Sequence, residues 1–338
     1  MNDSARYERI GERCFRHRHI AEALCWFEKA LRAGSDPRQN ALLRWESWML
    51  LGEFERAWKE SDLVHGRRLS VPAEELTIHC CRGLGDAIQF LRFVPQLKMH
   101  CDKVTVHAPA RLVPLLAWMP GIDEAAAICD AERTEVDLEC SDLPYIARTS
   151  LCSLPGIPTI LVPDAERERC DARLRTSSGL NIGLAWAAGE WNPSRSIPTA
   201  ELNALFEIPG VDWFSLQRPH DDVLRHLTAL ETPGSDILAT ALNILNLDLV
   251  ISVDTMVAHL AGALGKPVWL LLQHHADWRW MLGREDSPWY PTMRIFRQQP
   301  CETGWREVIG RVAAEIRVNP AGAFPATRTQ VLRRRSSG

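Results

Sequence analysis

Residues 247–272, LDLVISVDTMVAHLAGALGKPVWLLL, restrict the fold more than any other stretch of this chain. The run ending at Val253 is β-branched and apolar without alternation, the pattern of a strand buried on both faces. Asp254 and Thr255 interrupt it, small residues and one histidine follow, and a second apolar run opens after Gly265-Lys266-Pro267. A buried strand, a small-residue helix and another buried strand are the parts of a parallel sheet covered by helices.

The same alternation recurs in two series. LTIHC (76–80) reads as a strand, CRGLGDAIQFLRFVPQL as a glycine-bearing turn opening a helix, KVTVHA (103–108) as a strand, ARLVPLLAWM as a helix and AAAIC (125–129) as a strand. The second series starts at LNIGLAW (180–186) and runs through VDWFSLQ (211–217), the stretch 237–245 and the segment quoted above. Residues 304–318 form its closing helix, and polar residues 163–179 read as a linker with a short helix. Residues 4–66 are expected to be all-helical. Tyr7, Ile10, Gly11, Cys14, Ala23, Phe27 and Ala30 have the spacing of a tetratricopeptide hairpin, and Trp48, Gly52 and Ala57 suggest a weaker second copy. Two copies are too few for a free-standing solenoid, so they are expected to pack on the rest of the chain. The expected division is a helical region at 1–70, one Rossmann-like module at 71–165, another at 179–318 and a flexible tail at 319–338. The fold class is thus α/β, two modules facing a cleft behind a helical cap.

Composition narrows the function. A net charge of −4 in 338 residues argues against a nucleic-acid binder, and Arg333-Arg334-Arg335 sits in a polar tail. Ten cysteines without C-x-x-C spacing fit a reducing compartment. No charged-then-apolar leader opens the chain and no apolar run reaches the ~20 residues of a membrane span, so the expectation is a cytoplasmic protein. His79 with Cys80-Cys81, and His274-His275, lack metal-ligand spacing, so no structural zinc is expected. The absence of G-x-S-x-G disfavours an α/β-hydrolase.

Candidate chemistry lies at the strand-to-helix seams. In RGLGDAIQF, Gly83 and Gly85 allow unusual backbone conformations and close approach of a ligand, and Asp86 falls in the first helical turn. A third glycine and a Gly-Lys-Ser/Thr are both missing, which argues against a dinucleotide fingerprint and a P-loop. At the other seam, Asp254 and Thr255 are expected to cap the helix, whose first-turn amides offer a site for phosphate oxygens. His259, four residues after Thr255, shares its face. Arg195, between Ser194 and Ser196 in a polar loop, is a candidate anion ligand, and Trp186, Trp191, Trp278, Trp280 and Trp289 are large side chains able to line a pocket or fill a core.

These segments resemble the heptosyltransferase family of glycosyltransferases, most closely its branch with N-terminal tetratricopeptide repeats. The resemblance covers about residues 75–316 in order and is carried by GLGDAIQF, IGLAWAAGEWNPSRSIP, FSLQ and above all residues 247–298. It implies a GT-B fold and inverting, metal-independent transfer of a sugar from a nucleotide-diphosphate donor, with no cofactor besides that co-substrate. Asp86 matches the family's general base. Asp254, Thr255 and His259 match its D-T-x-x-x-H motif, which contacts the donor diphosphate and ribose. Gly83, Gly85, Trp186, Arg195, Gln217 and Met256 complete the donor-binding set by the same resemblance; Met256 stands where the family often has a small residue. The implied acceptor is a protein or glycan held by the helical repeats. The alternatives are a scaffold with the same architecture that binds a partner protein without turnover, and a nucleotide-sugar epimerase.

Overall fold

The computed structural model describes residues 3–65, 74–128, 137–168, 179–189, 192–217, 227–229 and 237–318. They fall into two compact units. Trp191, the expected tail at 319–338 and most of the polar stretch after residue 168 lie outside the described residues.

The first unit takes residues 1–72 together with 142–154 and 275–284. Its helices are α1 (Asp3–Arg16), α2 (Ile20–Arg32), α3 (Ala41–Leu50) and α4 (Phe54–His65). Gly11 lets α1 and α2 meet: a methyl group there would fall 2.7 Å from the Phe27 ring, which packs with Cys14 and Ala23. Gly52 serves differently from Gly11. It is the left-handed residue (φ 77°) in the turn between α3 and α4, a conformation that favours glycine, so it is no counterpart of the mid-helix Gly11. Arg44 on α3 ties the unit together. It pairs with Glu60 at 2.7 Å and donates to the carbonyls of Gln39 and Pro37.

Later parts of the chain are stitched onto these helices. The Trp58 indole donates to the Thr149 carbonyl (2.7 Å), the Tyr145 hydroxyl to Asp62 (2.6 Å), and Arg18 to the Ala276 carbonyl (2.8 Å). The Leu282 amide donates to Leu50, and Trp278 packs edge-on against Trp45. A helical pair that buries little by itself gains its second layer from these segments.

The second unit holds two parallel sheets. In the first, β1 (Glu75–His79), β2 (Lys103–Ala108), β3 (Glu124–Ala127) and β4 (Leu138–Glu139) lie in the order β3-β2-β1-β4. In the second, β5 (Leu180–Ala185), β6 (Val211–Ser215), β7 (Thr228–Ala229), β8 (Leu249–Val253), β9 (Val268–Leu272) and β10 (Met293–Arg297) lie in the order β10-β9-β8-β5-β6-β7. Read from β7, this is the doubly wound order 3-2-1-4-5-6. Every residue of β8 and β9 is buried, Ser252 of β8 included, as their lack of polar alternation leads one to expect.

Three helices of this unit bear on the site and core: α5 (Leu84–Phe90), α6 (Ile237–Leu245) and α7 (Met256–Ala263). A fourth, α8 (Arg306–Val318), buries Val308, Ile309, Val312, Ala313 and Ile316 against β5, β8 and β9 residues such as Ile182, Ile251 and Trp269. The helix expected over 82–97 is shorter than its apolar pattern. Pro95 has no amide to continue the ladder, and after Phe90 the chain runs through a tight turn into a second short helix, Val94–Leu97. The helix read in ARLVPLLAWM shrinks likewise to Val113–Leu116, with Pro114 in its first turn. Strands β4, β7 and β10 carry no clear sequence signal: the first two have two residues each, and β10 (MRIFR) contains two arginines, Arg294 and Arg297.

Gly310 is exposed inside α8 with open space where a methyl would go. Gly310→Ala is therefore expected to stabilise the protein by about 1 kcal/mol, read as a higher denaturant midpoint at unchanged slope.

Candidate functional site

In doubly wound sheets, ligands bind outside the carboxyl ends of the strands where the strand order reverses. In the second sheet that point lies between β5 and β8, and the loops leaving these two strands carry Arg195 and Asp254. In the first sheet it lies between β1 and β4, whose following residues include Cys80–Asp86 and Cys140. Both sequence seams therefore sit at switch points.

At the first seam Gly83 is the residue before α5, with an ordinary extended backbone (φ −67°, ψ 149°). Its amide donates to Asp86 Oδ2 at 3.2 Å, and its carbonyl accepts from the amides of Asp86 and Ala87. The carboxylate of Asp86 thus closes the helix start and lies where the helix dipole favours negative charge. The expectation that both glycines adopt unusual conformations for a ligand is corrected here. Neither has a positive φ, and the space left by Gly85 is filled by protein: a methyl on it would lie 2.6 Å from Cδ2 of His259. Below, Cys80 and Cys140 are buried neighbours. Their mutual hydrogen bond, then burial, pushes the Cys140 thiol well above the usual thiol range, and the charges of Asp86 and Glu139 act in the same direction. Cys81 faces the other way, its sulfur 3.0 Å from Glu139.

At the second seam Thr255 is the residue before α7, but its side chain does not cap the helix. Its hydroxyl is 3.2 Å from that of Ser252, because an extended backbone (φ −140°, ψ 173°) turns the side chain back toward β8. This corrects the cap expected of Thr255. Asp254 is 6% exposed, with its carboxylate 3.6 Å from Arg195 Nη1 and 3.8 Å from His259 Nε2. Arg195 Nη1 also donates to the Asp254 carbonyl at 2.8 Å. His259 is 3% exposed and its Nδ1 is 3.0 Å from the Tyr290 hydroxyl. Met256, at the first position of α7, is half-buried.

Other members of the expected set have structural partners. Trp186 is buried in the core of the second sheet with Ile197, Leu202 and Trp305. Its amide and that of Ala187 both donate to Gln217 Oε1, at 2.8 and 2.9 Å, so this amide oxygen braces the loop after β5. Ser194 bonds Gln273 and Asn192, and Ser196 accepts from the Ala188 amide, which fixes the turn that carries Arg195. Trp280 and Trp289 are fully buried. What the structure brings together is therefore Asp86 and Gly85 on α5 with His259, Asp254, Thr255 and Arg195 around the start of α7. Tyr290 joins them with no sequence signal beyond its place in the resembling segment. Among the described residues no group of three His, Cys, Asp or Glu side chains is arranged to hold a metal, and no helix is long and apolar enough to cross a membrane.

Comparisons with known proteins bear on the fold. No family model matches the chain. Protein FlbA of Caulobacter vibrioides is 25% identical over 297 residues, covering 77% of this chain and 48% of that protein, so the chain spans about half the length of the curated relative it matches. Among solved structures, a family 9 glycosyl transferase from Veillonella parvula superposes with a TM-score of 0.53 at 13% identity, over 76% of this chain and all of that one. The E. coli ADP-heptose heptosyltransferase II gives 0.51 at 16% identity, over 72% of this chain and 98% of that one. The chain accordingly has an α/β fold of parallel sheets and helices similar to that of GT-B glycosyltransferases.

Proposed function

We propose that the protein is an inverting glycosyltransferase that moves a sugar from a nucleoside-diphosphate donor to a protein or glycan acceptor without a metal. The observation that carries this reading is the start of α7, where the Thr255 side chain makes no cap, at the switch point of a doubly wound sheet with Arg195 held beside it. In the step itself the acceptor oxygen forms a bond to the anomeric carbon as the bond from that carbon to the diphosphate breaks. Asp86 takes the acceptor's proton. The leaving diphosphate gains negative charge, and in this reading the first-turn amides of α7 and the Arg195 guanidinium stabilise it. A carboxylate repels phosphate oxygens, so the part read for Asp254 is to align Arg195.

The helical unit is read as the tetratricopeptide-like holder of the acceptor. Its α3 and α4 side chains Trp45, Trp58 and Asp62 are occupied by later segments of the chain, which leaves the exposed surfaces of α1 and α2 for a partner.

The test is thermal stabilisation by ADP, UDP and GDP. ADP comes first because one structure of similar fold is an ADP-heptose transferase. A ligand at 100 times its Kd adds about 2.7 kcal/mol to stability. Arg195→Ala is expected to weaken the effective diphosphate roughly 10-fold, the scale of one lost charge-assisted hydrogen bond. If no nucleoside diphosphate stabilises the wild type, the donor reading fails and the inactive scaffold takes its place.

A further inference from the structure

His259, Tyr290 and Arg92 form a buried line that the proposed chemistry does not itself require. Tyr290 is fully buried, and its ring occupies the space that a side chain at Gly262 of α7 would need, 2.6 Å from the position of a methyl there. Its hydroxyl meets His259 Nδ1 at 3.0 Å. Against the same ring lies Arg92, just beyond α5, with the guanidinium 4.5 Å from the Tyr290 ring centroid and 5.9 Å from that of Trp289. Arg92 Nε donates to the Gln89 carbonyl at 2.7 Å and Nη1 to the Trp289 carbonyl at 2.5 Å, so the cation is fixed where it stands. Burial pushes its pKa below the usual arginine value, and the adjacent Tyr290 opposes that drop.

We infer that Tyr290, backed by Arg92, is a positioning residue that holds His259 in its Nε2–H tautomer, so that one buried imidazole aligns the Asp254 carboxylate and supports the first turn of α5. A neutral imidazole donates from one nitrogen and accepts at the other, and the bond at one end decides the tautomer. A cation over the phenol ring withdraws electron density from it, so the hydroxyl donates to Nδ1 better than it accepts. At the other end Nε2 faces Asp254, 3.8 Å away, and a carboxylate only accepts. The opposite tautomer would set a nitrogen lone pair against that carboxylate. Both ends select the same proton position, and the 3%-exposed ring has little water to compete for it. The consequence for catalysis rests on reading α7 as the diphosphate end of the site. Through Asp254 and its contact with Arg195, the tautomer fixes the cation that meets the donor.

The experiment is ¹⁵N spectroscopy of the histidine rings in the wild type and in Tyr290→Phe, with the His259 signals assigned by their loss in His259→Gln. Phenylalanine keeps the ring over Gly262 and under Arg92 and removes only the hydroxyl. The wild type is expected to show the proton on Nε2, and Tyr290→Phe to shift the Nδ1 signal toward a mixture of tautomers. ADP affinity is expected to fall about 5-fold, the scale of one hydrogen bond. A wild-type proton on Nδ1, or ring signals unchanged in Tyr290→Phe, would overturn the inference; a packing role for Tyr290 would alter melting and leave the ring nitrogens alone. Should ADP, UDP and GDP all fail to bind the wild type, the donor reading fails while the ring spectra still decide the tautomer.

Discussion

Asp86→Asn is expected to lower sugar transfer ~10²–10⁴-fold, the range that a positioned general base contributes. The substitution is well suited to the geometry. The amide of Gly83 donates to Asp86 Oδ2, and an asparagine oxygen accepts the same bond, so the start of α5 keeps its closure while the basic group is gone. Donor affinity should stay near the wild-type value, because the groups assigned to the diphosphate sit on α7 and on the turn that carries Arg195. A fall in kcat at constant nucleotide affinity is the signature of an interaction made only in the transition state. Turnover equal to the wild type at saturating donor and acceptor would remove Asp86 as the base.

Gly85→Ala should show the largest structural effect. The new methyl would lie 2.6 Å from His259 Cδ2 and 3.3 Å from Nε2, well inside contact distance. The ring has little room to yield. It is buried, its Nδ1 is tied to Tyr290, and its Nε2 lies beside Asp254. Overpacking of this kind costs about 1–3 kcal/mol, against at most about 1 kcal/mol of improved helix propensity. The net result is a lower denaturant midpoint, opposite in sign to Gly310→Ala, where nothing stands in the way. Displacement of His259 should also loosen Asp254 and weaken nucleotide binding. A Gly85→Ala protein as stable as the wild type would mean that α5 and α7 adjust apart at little cost.

The helical hairpin shows how far a pattern in the sequence reaches. Gly11, Ala23 and Phe27 lie at spacings that place them on facing helix surfaces, and the Phe27 ring does occupy the room Gly11 leaves. Strands β8 and β9 were equally legible, since a short run that is apolar without alternation fits a strand covered on both faces. The seams at Asp86 and Asp254 followed from the change of character between strand and helix, so the location of the candidate site was readable before its contacts were. Trp186 was ambiguous for a physical reason: a large aromatic beside a polar loop satisfies burial in a core or in a pocket equally well, and only the structure shows it packed with Ile197 and Trp305.

Local sequence therefore determined which residues stand at the ends of strands and which helix faces are apolar, because periodicity encodes the direction of a side chain. It left open what each side chain meets. His259 lies 31 residues from Tyr290, and Arg92 lies 197 from Trp289. Such pairs form only when helices and loops from separate βα units converge, and so does the ring of His259 against Gly85. Tertiary packing decided these partners, since hydrogen-bond geometry and excluded volume act between neighbours in space whatever their distance along the chain.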